Sequence, residues 1–124
     1  MSPFKFLDGM PSCDAAEVFY VRIDPEISLS GELLRALYYQ LWFPGYFGFN
    51  WDALYDCLMD LGWIPCHKVT LVHSVLPNLP EDDLIAYLEV LRDAVQNWTG
   101  HDAHELEVFF GVTDRHAVEA LLAQ

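Results

Sequence analysis

Basic residues are scarce in this chain. Its 124 residues include 6 Lys and Arg against 19 Asp and Glu, a net charge of −13. Phosphate backbones are held by Lys and Arg, so direct nucleic-acid binding is not expected, and neither is an anionic membrane surface, on the same ground. Long apolar runs are absent too, and none is sufficient to span a bilayer. The first ten residues, MSPFKFLDGM, carry one Lys and no sustained apolar stretch, which is not the pattern of a secretory signal. Cysteine is sparse: Cys13, Cys57 and Cys66 form no even framework of pairs, so reduced thiols and a cytoplasmic location are expected. No P-loop or dinucleotide fingerprint, internal repeat or low-complexity segment occurs.

Apolar residues, by contrast, make up 53% of the chain, ample for the core of one domain. Residues 1–15 read as a Pro- and Gly-punctuated lead-in, and residues 16–124 as a single domain. AEVFYVRI (16–23), KVTLVHSV (68–75) and ELEVFFGV (105–112) are β-branched and aromatic, as strands are. Leu33, Leu34, Leu37, Tyr38 and Leu41 recur at helical spacing, with Ser30 as the expected N-cap, Glu32 in the first turn and Pro44 as the stop. Asn50 is the expected cap of a second helix running to about Leu61, with Gly62 as its stop. A third helix, opened by PNLPEDD, carries Leu84, Leu88, Leu91, Val95 and Trp98 on one stripe and ends at Gly100. A short last helix, capped by Thr113 or Asp114, contains Val118, Leu121 and Leu122. The order β, α, α, β, α, β, α favours helical crossovers between parallel strands. The expected fold class is therefore α/β: a small three-stranded parallel sheet packed with helices, with an extra helix at the C-terminal end.

The stretch FPGYFGFNWDALYDCLMD, residues 43–60, carries the functional signal. On its helix, Leu54, Cys57, Leu58 and Leu61 share a core stripe. Asp52, Asp56 and Asp60 fall on the other side, flanked by Tyr55 and Met59. Like charges four apart destabilise a helix by about 0.2–0.5 kcal/mol per pair, and no Lys or Arg lies on this segment to relieve them. The alternatives are a solvated face of an acidic protein or a surface reserved for a cationic partner. In the loop before the helix, Gly45 and Gly48 allow positive φ or close backbone approach. Tyr46, Phe47, Phe49 and Trp51 lie in or beside that loop. Some of these rings belong to the core, and those left exposed would form an aromatic rim around the carboxylates.

PGYFGFNWDALYDCL resembles the inhibitory segment of the barstar family of ribonuclease inhibitors. Pro44, Tyr46, Gly48, Asn50, Asp52, Ala53, Leu54, Asp56, Cys57 and Leu58 match that family's pattern without a gap. The resemblance covers roughly residues 16–112 and implies a barstar-like fold. It also implies that the helix and its loop plug a nuclease active site, their carboxylates standing in for RNA phosphates. Carried over, Asp56 is the central anion and Asp52 its neighbour. Tyr46 stacks on the enzyme, while Gly48 and Asn50 shape the loop. The acid that the family places on its next long helix falls at Asp93, in VLRDAV. Phe47, Phe49, Trp51 and Tyr55 depart from the family's residues, so the charges are kept while the aromatic fit differs. The partner implied is a basic, extracellular-type ribonuclease, and this chain would be its immunity-type protein. The alternative is a barstar-like module for a different cationic protein.

Enzymatic readings are weaker. Asp52 and Asp56 as a catalytic pair would need a cleft, which adjacent turns of an exposed helix do not make. His101 and His104 in HDAHE, with Cys66 and His67, lack the spacing of a metal site. His73 lies in a strand and reads as a core or edge residue, His116 as a surface one, and Cys57 as packing. No enzyme activity, metal or cofactor is expected.

Overall fold

A computed structural model describes residues 3–9 and 18–123. Among the described residues four strands and four α-helices follow one another as β1 (Lys5–Leu7), β2 (Val18–Ile23), α1 (Ser30–Gln40), α2 (Trp51–Asp60), β3 (Lys68–His73), α3 (Glu81–Trp98), β4 (Glu105–Gly111) and α4 (Arg115–Leu122). A 3₁₀ turn, Val112–Asp114, leads into α4. All strand pairs are parallel, in the order β1-β4-β3-β2. The sheet thus has four strands where the sequence pattern gave three. The added strand lies within the segment expected to be a loose lead-in. Residues 16 and 17, with which the second strand was expected to open, and Cys13 lie outside the described residues.

β1 is short, and tertiary partners hold it. It pairs with β4 in the register Lys5 to Phe109, and Phe4 and Phe6 set their rings on Phe110. The Lys5 ammonium is ion-paired with Glu107. Lys68 of β3 reaches the same carboxylate at 3.5 Å, and Thr70 Oγ1 donates to it at 3.3 Å. Burial works to raise the Glu107 pKa, but the hydrogen bond and charge of Lys5, with the charge of Lys68, outweigh it and leave the group lowered.

Strand register sorts the sheet into two faces. Phe19, Val69 and Leu106 align, as do Val21, Leu71 and Val108, and then Ile23, His73 and Phe110. This face feeds the core, together with Leu33, Leu34 and Leu37 of α1, Leu54, Cys57 and Leu58 of α2, and Leu84, Tyr87, Leu88, Leu91, Ala94 and Trp98 of α3. Val95 of the expected α3 stripe is half-buried, while Tyr87, absent from it, is fully buried. Val118 of α4 is buried as expected.

Several helix ends differ from expectation in how they close. At α1, Ser30 Oγ is buried without a partner, and the cap comes from Glu32 instead. Its carboxylate accepts from the backbone N–H groups of Leu29 and Ser28 at 3.2 and 3.3 Å. The same helix ends before Pro44: Trp42 enters the left-handed region at φ 57°, and Phe43 N–H closes back on the Tyr38 carbonyl at 3.0 Å. The left-handed cap of α2 is Leu61, φ 52°, not Gly62. Leu61 is fully buried, so packing offsets what glycine would have saved in backbone strain. Asp114 sits at the N-cap of α4, but its carboxylate accepts from Leu76 N–H at 3.0 Å, tying the loop after β3 to the chain after β4.

Candidate functional site

The site is built on α2 and the loop before it. Asn50 caps the helix: its Oδ1 accepts from Ala53 N–H at 2.8 Å, and its Nδ2 donates to the Gly48 carbonyl at 3.3 Å. Side chains crowd there. A Cβ on Gly48 would come within 3.2 Å of Asn50 Nδ2. Close approach is therefore what Gly48 supplies. Neither Gly45 nor Gly48 has a positive φ; the left-handed position in this loop is Phe49, at 53°.

Indole N–H groups fix the helix to its neighbours. Trp98 Nε1 donates to the Leu58 carbonyl at 2.7 Å, satisfying one of the orphan acceptors at the end of α2. Trp51 Nε1 lies 3.4 Å from Asp83 Oδ1 on α3, at the other end. Trp63 Nε1 reaches the Leu41 carbonyl at 2.8 Å, closing the end of α1 beside the same loop. None of these clamps was legible beforehand, because each joins side chain to backbone or side chain across elements.

With α2 so held, its outer face and the loop enclose an open hollow of about 510 Å³. Tyr46, Phe47, Gly48, Asn50, Asp52, Ala53, Asp56, Cys57 and Asp60 line it. Asp52, Asp56 and Asp60 are exposed, and among the described residues no Lys or Arg forms an ion pair with them. Their field is felt beneath: burial, then the charges of Asp56 and Asp60, push the Cys57 thiol above its ordinary value. Cys57 is buried and free, and its thiol stays protonated, as a packing residue.

The structure distributes the expected site residues unevenly. Tyr46 stands 75% exposed at the lip of the hollow, and Tyr55 is exposed on α2. Phe47 is not part of an exposed rim; it is buried, with its ring 4.9 Å from Phe43 and 6.0 Å from Tyr38, although it is among the residues that line the hollow. Trp51 is half-buried and turned to α3, its ring 5.8 Å from Tyr87. Asp93 is half-exposed on α3, outside the hollow, paired with Arg92 at 3.0 Å. Asp60, which the resemblance does not assign, lines the hollow with one oxygen already accepting from Gly62 N–H at 3.1 Å.

A second feature lies in the core behind α2. His73 Nδ1 is 3.0 Å from the Phe109 carbonyl, which can only accept, so that nitrogen carries the hydrogen. Nε2 then accepts from the Tyr87 hydroxyl at 2.7 Å, and the ring stacks 4.3 Å from Phe110. Burial lowers the imidazole to about 4 and raises the Tyr87 phenol. At the opening ends of β3 and β4, His104 Nδ1 contacts the His67 carbonyl at 3.2 Å, and His101 packs on Trp98. Among the described residues no three His, Cys, Asp or Glu side chains are grouped to hold a metal.

An acidic face of α2, a capped loop at its start and a parallel sheet behind it make up the candidate site. Residues 18–111 match the family Barstar (barnase inhibitor), three quarters of the chain, and the chain belongs to that family. No curated protein matches it.

Proposed function

We propose that this chain is a stoichiometric protein inhibitor of a small basic ribonuclease, and that α2 with the loop 44–50 occupies the enzyme's active cleft. The observation that supports this most is the hollow lined by Asp52, Asp56 and Asp60, with which no Lys or Arg among the described residues forms an ion pair. Unpaired carboxylates beside apolar walls gain most from a guanidinium or ammonium that a partner brings, because the partner excludes water on docking. In this reading Asp56 is the central anion and Asp52 supports it from the first turn. Tyr46 lays its ring against the enzyme, and Gly48 and Asn50 hold the loop in shape. Tyr55 borders the contact. Phe47 and Trp51 act from behind, by supporting the loop and the start of α2. Asp93 sits apart from the hollow, so its part in the contact is secondary.

Calorimetric titration of a barnase-type ribonuclease tests these roles. Asp56→Ala leaves a desolvated cation unpaired and should cost about 3 kcal/mol, roughly a hundredfold in Kd. Asp60→Ala should cost much less, since one Asp60 oxygen is held by Gly62 N–H. Equal losses from the two variants would contradict the assignment.

A further inference from the structure

Trp51 and Asp52 are neighbours in sequence and face different ways. Asp52 lines the acidic hollow, while Trp51 turns to α3. There the indole meets two side chains one turn apart. Its Nε1 donates to Asp83 Oδ1 at 3.4 Å, and its ring lies 5.8 Å from that of Tyr87. Tyr87 is itself tied to the sheet: its hydroxyl donates to His73 Nε2 at 2.7 Å, and His73 Nδ1 donates to the Phe109 carbonyl. Trp51 and Asp83 stand in the first turns of their helices, and Leu58 and Trp98 meet near the other ends. The two helices therefore run in the same general direction with their positive ends together, where a carboxylate suits both dipoles.

This contact bears on the roll of α2 about its axis. The core stripe of Leu54, Cys57 and Leu58 sets which side faces inward, but apolar packing is not directional. The Trp98 bond ends on a backbone carbonyl, close to the axis, so it fixes the position of the helix more than its roll. Among the described residues, one hydrogen bond leaves an α2 side chain for another element, and it is Trp51 to Asp83; that of Asp60 stays local, on Gly62 N–H. A roll of about 10° moves a side-chain tip about 1 Å at a radius of about 5–6 Å. Charge-assisted hydrogen bonds to carboxylates are about 2.7–2.9 Å long, so a shift of about 1 Å breaks one. Asp52 and Asp56 line the same hollow and move together in such a roll.

We propose that Asp83 is a positioning residue for the docking face. By holding the Trp51 indole against α3, it sets the roll of α2 and so the places at which Asp52 and Asp56 meet the cations of the partner. Asp83 does not touch the partner in this arrangement; its effect passes through Trp51. This inference rests on the reading of the hollow as the seat of a basic ribonuclease.

Stopped-flow binding to a barnase-type ribonuclease tests it, with residual dipolar couplings of the free chain recorded alongside. Asp83→Ala, which removes the acceptor, and Trp51→Phe, which keeps a ring beside Tyr87 but has no N–H, should each raise the dissociation rate at least threefold. The double variant should dissociate no faster than either single one, since both changes remove the same bond. Asp83→Asn keeps an acceptor for the indole and loses the charge, so it should restore the wild-type dissociation rate. The couplings of the α2 amides should shift relative to those of the sheet in Asp83→Ala and Trp51→Phe, and not in Asp83→Asn. If Asp83→Asn dissociates as fast as Asp83→Ala, the carboxylate acts on the partner by its charge and the positioning role is overturned. Additive losses in the double variant, or unchanged rates in both single ones, would overturn it too, and in each of these cases binding by the wild type leaves the hollow standing. No binding by the wild type would overturn the reading of the hollow and the docking role of Asp83 with it.

Discussion

His73 shows how one side chain couples the core to pH. The folded chain keeps it neutral, between the Phe109 carbonyl and the Tyr87 hydroxyl, down to about pH 4. An unfolded chain protonates the same imidazole near its ordinary value of 6.5. Between those values the unfolded state binds more protons, so stability falls as pH drops from 6.5 toward 4 and levels off below. Roughly 1.4 kcal/mol per unit makes the loss about 3 kcal/mol, read as a falling urea midpoint. In the sequence His73 is legible only as a strand residue. Its partner Tyr87 lies on another element, and neither periodicity nor spacing links the two. Asn50, in contrast, is legible as a cap from its place before Trp51, and the structure gives it that role. Asn50→Ala should cost about 1 kcal/mol and loosen the amides of the first turn of α2 in hydrogen exchange.

At the scale of elements, the helices announced themselves where apolar residues recur at helical spacing, and the second to fourth strands where β-branched residues cluster. The first strand did not. Three residues, KFL between Pro3 and Gly9, are too few to show alternation, and what fixes them is remote: Phe110 on β4 and the carboxylate of Glu107. Helix ends were less legible than helices for a similar reason. Ser30 and Gly62 are favoured end residues by local preference, yet a Glu32 carboxylate and a buried Leu61 take their places. Of the candidate site, the charged face of α2 was legible and the burial of Phe47 and Trp51 was not, because which aromatic ring turns inward depends on Tyr38, Phe43 and Tyr87. The ion pairs of Glu107 yield a prediction at this scale. Glu107→Gln removes the charge that Lys5 and Lys68 share and should speed hydrogen exchange at Phe6 and Leu7, leaving the amides of α2 unchanged. Because the Glu107 pKa is lowered, the same loosening should appear in the wild type as acid protonates that carboxylate.

Over the whole molecule the dominant fact is charge. In the proposed reading, a net −13 spread over a small domain, with three exposed carboxylates gathered at one hollow, should draw a cationic partner from a distance and orient it. Association with a basic ribonuclease should therefore slow as salt rises, while dissociation, governed by the desolvated contact around Asp56, should change little. Indole hydrogen bonds near both ends of α2, from Trp51 to Asp83 and from Trp98 to the Leu58 carbonyl, tie the helix that carries the acidic face to α3. The most direct measurement is RNA cleavage by a barnase-type ribonuclease, titrated with this protein and in parallel with Asp56→Ala. Activity should fall linearly to zero at one equivalent of the wild-type chain, and the variant should require a large excess. Full cleavage at a micromolar excess of the wild-type chain, or equal inhibition by the variant, would contradict the claim that α2 plugs the nuclease with Asp56 at its centre.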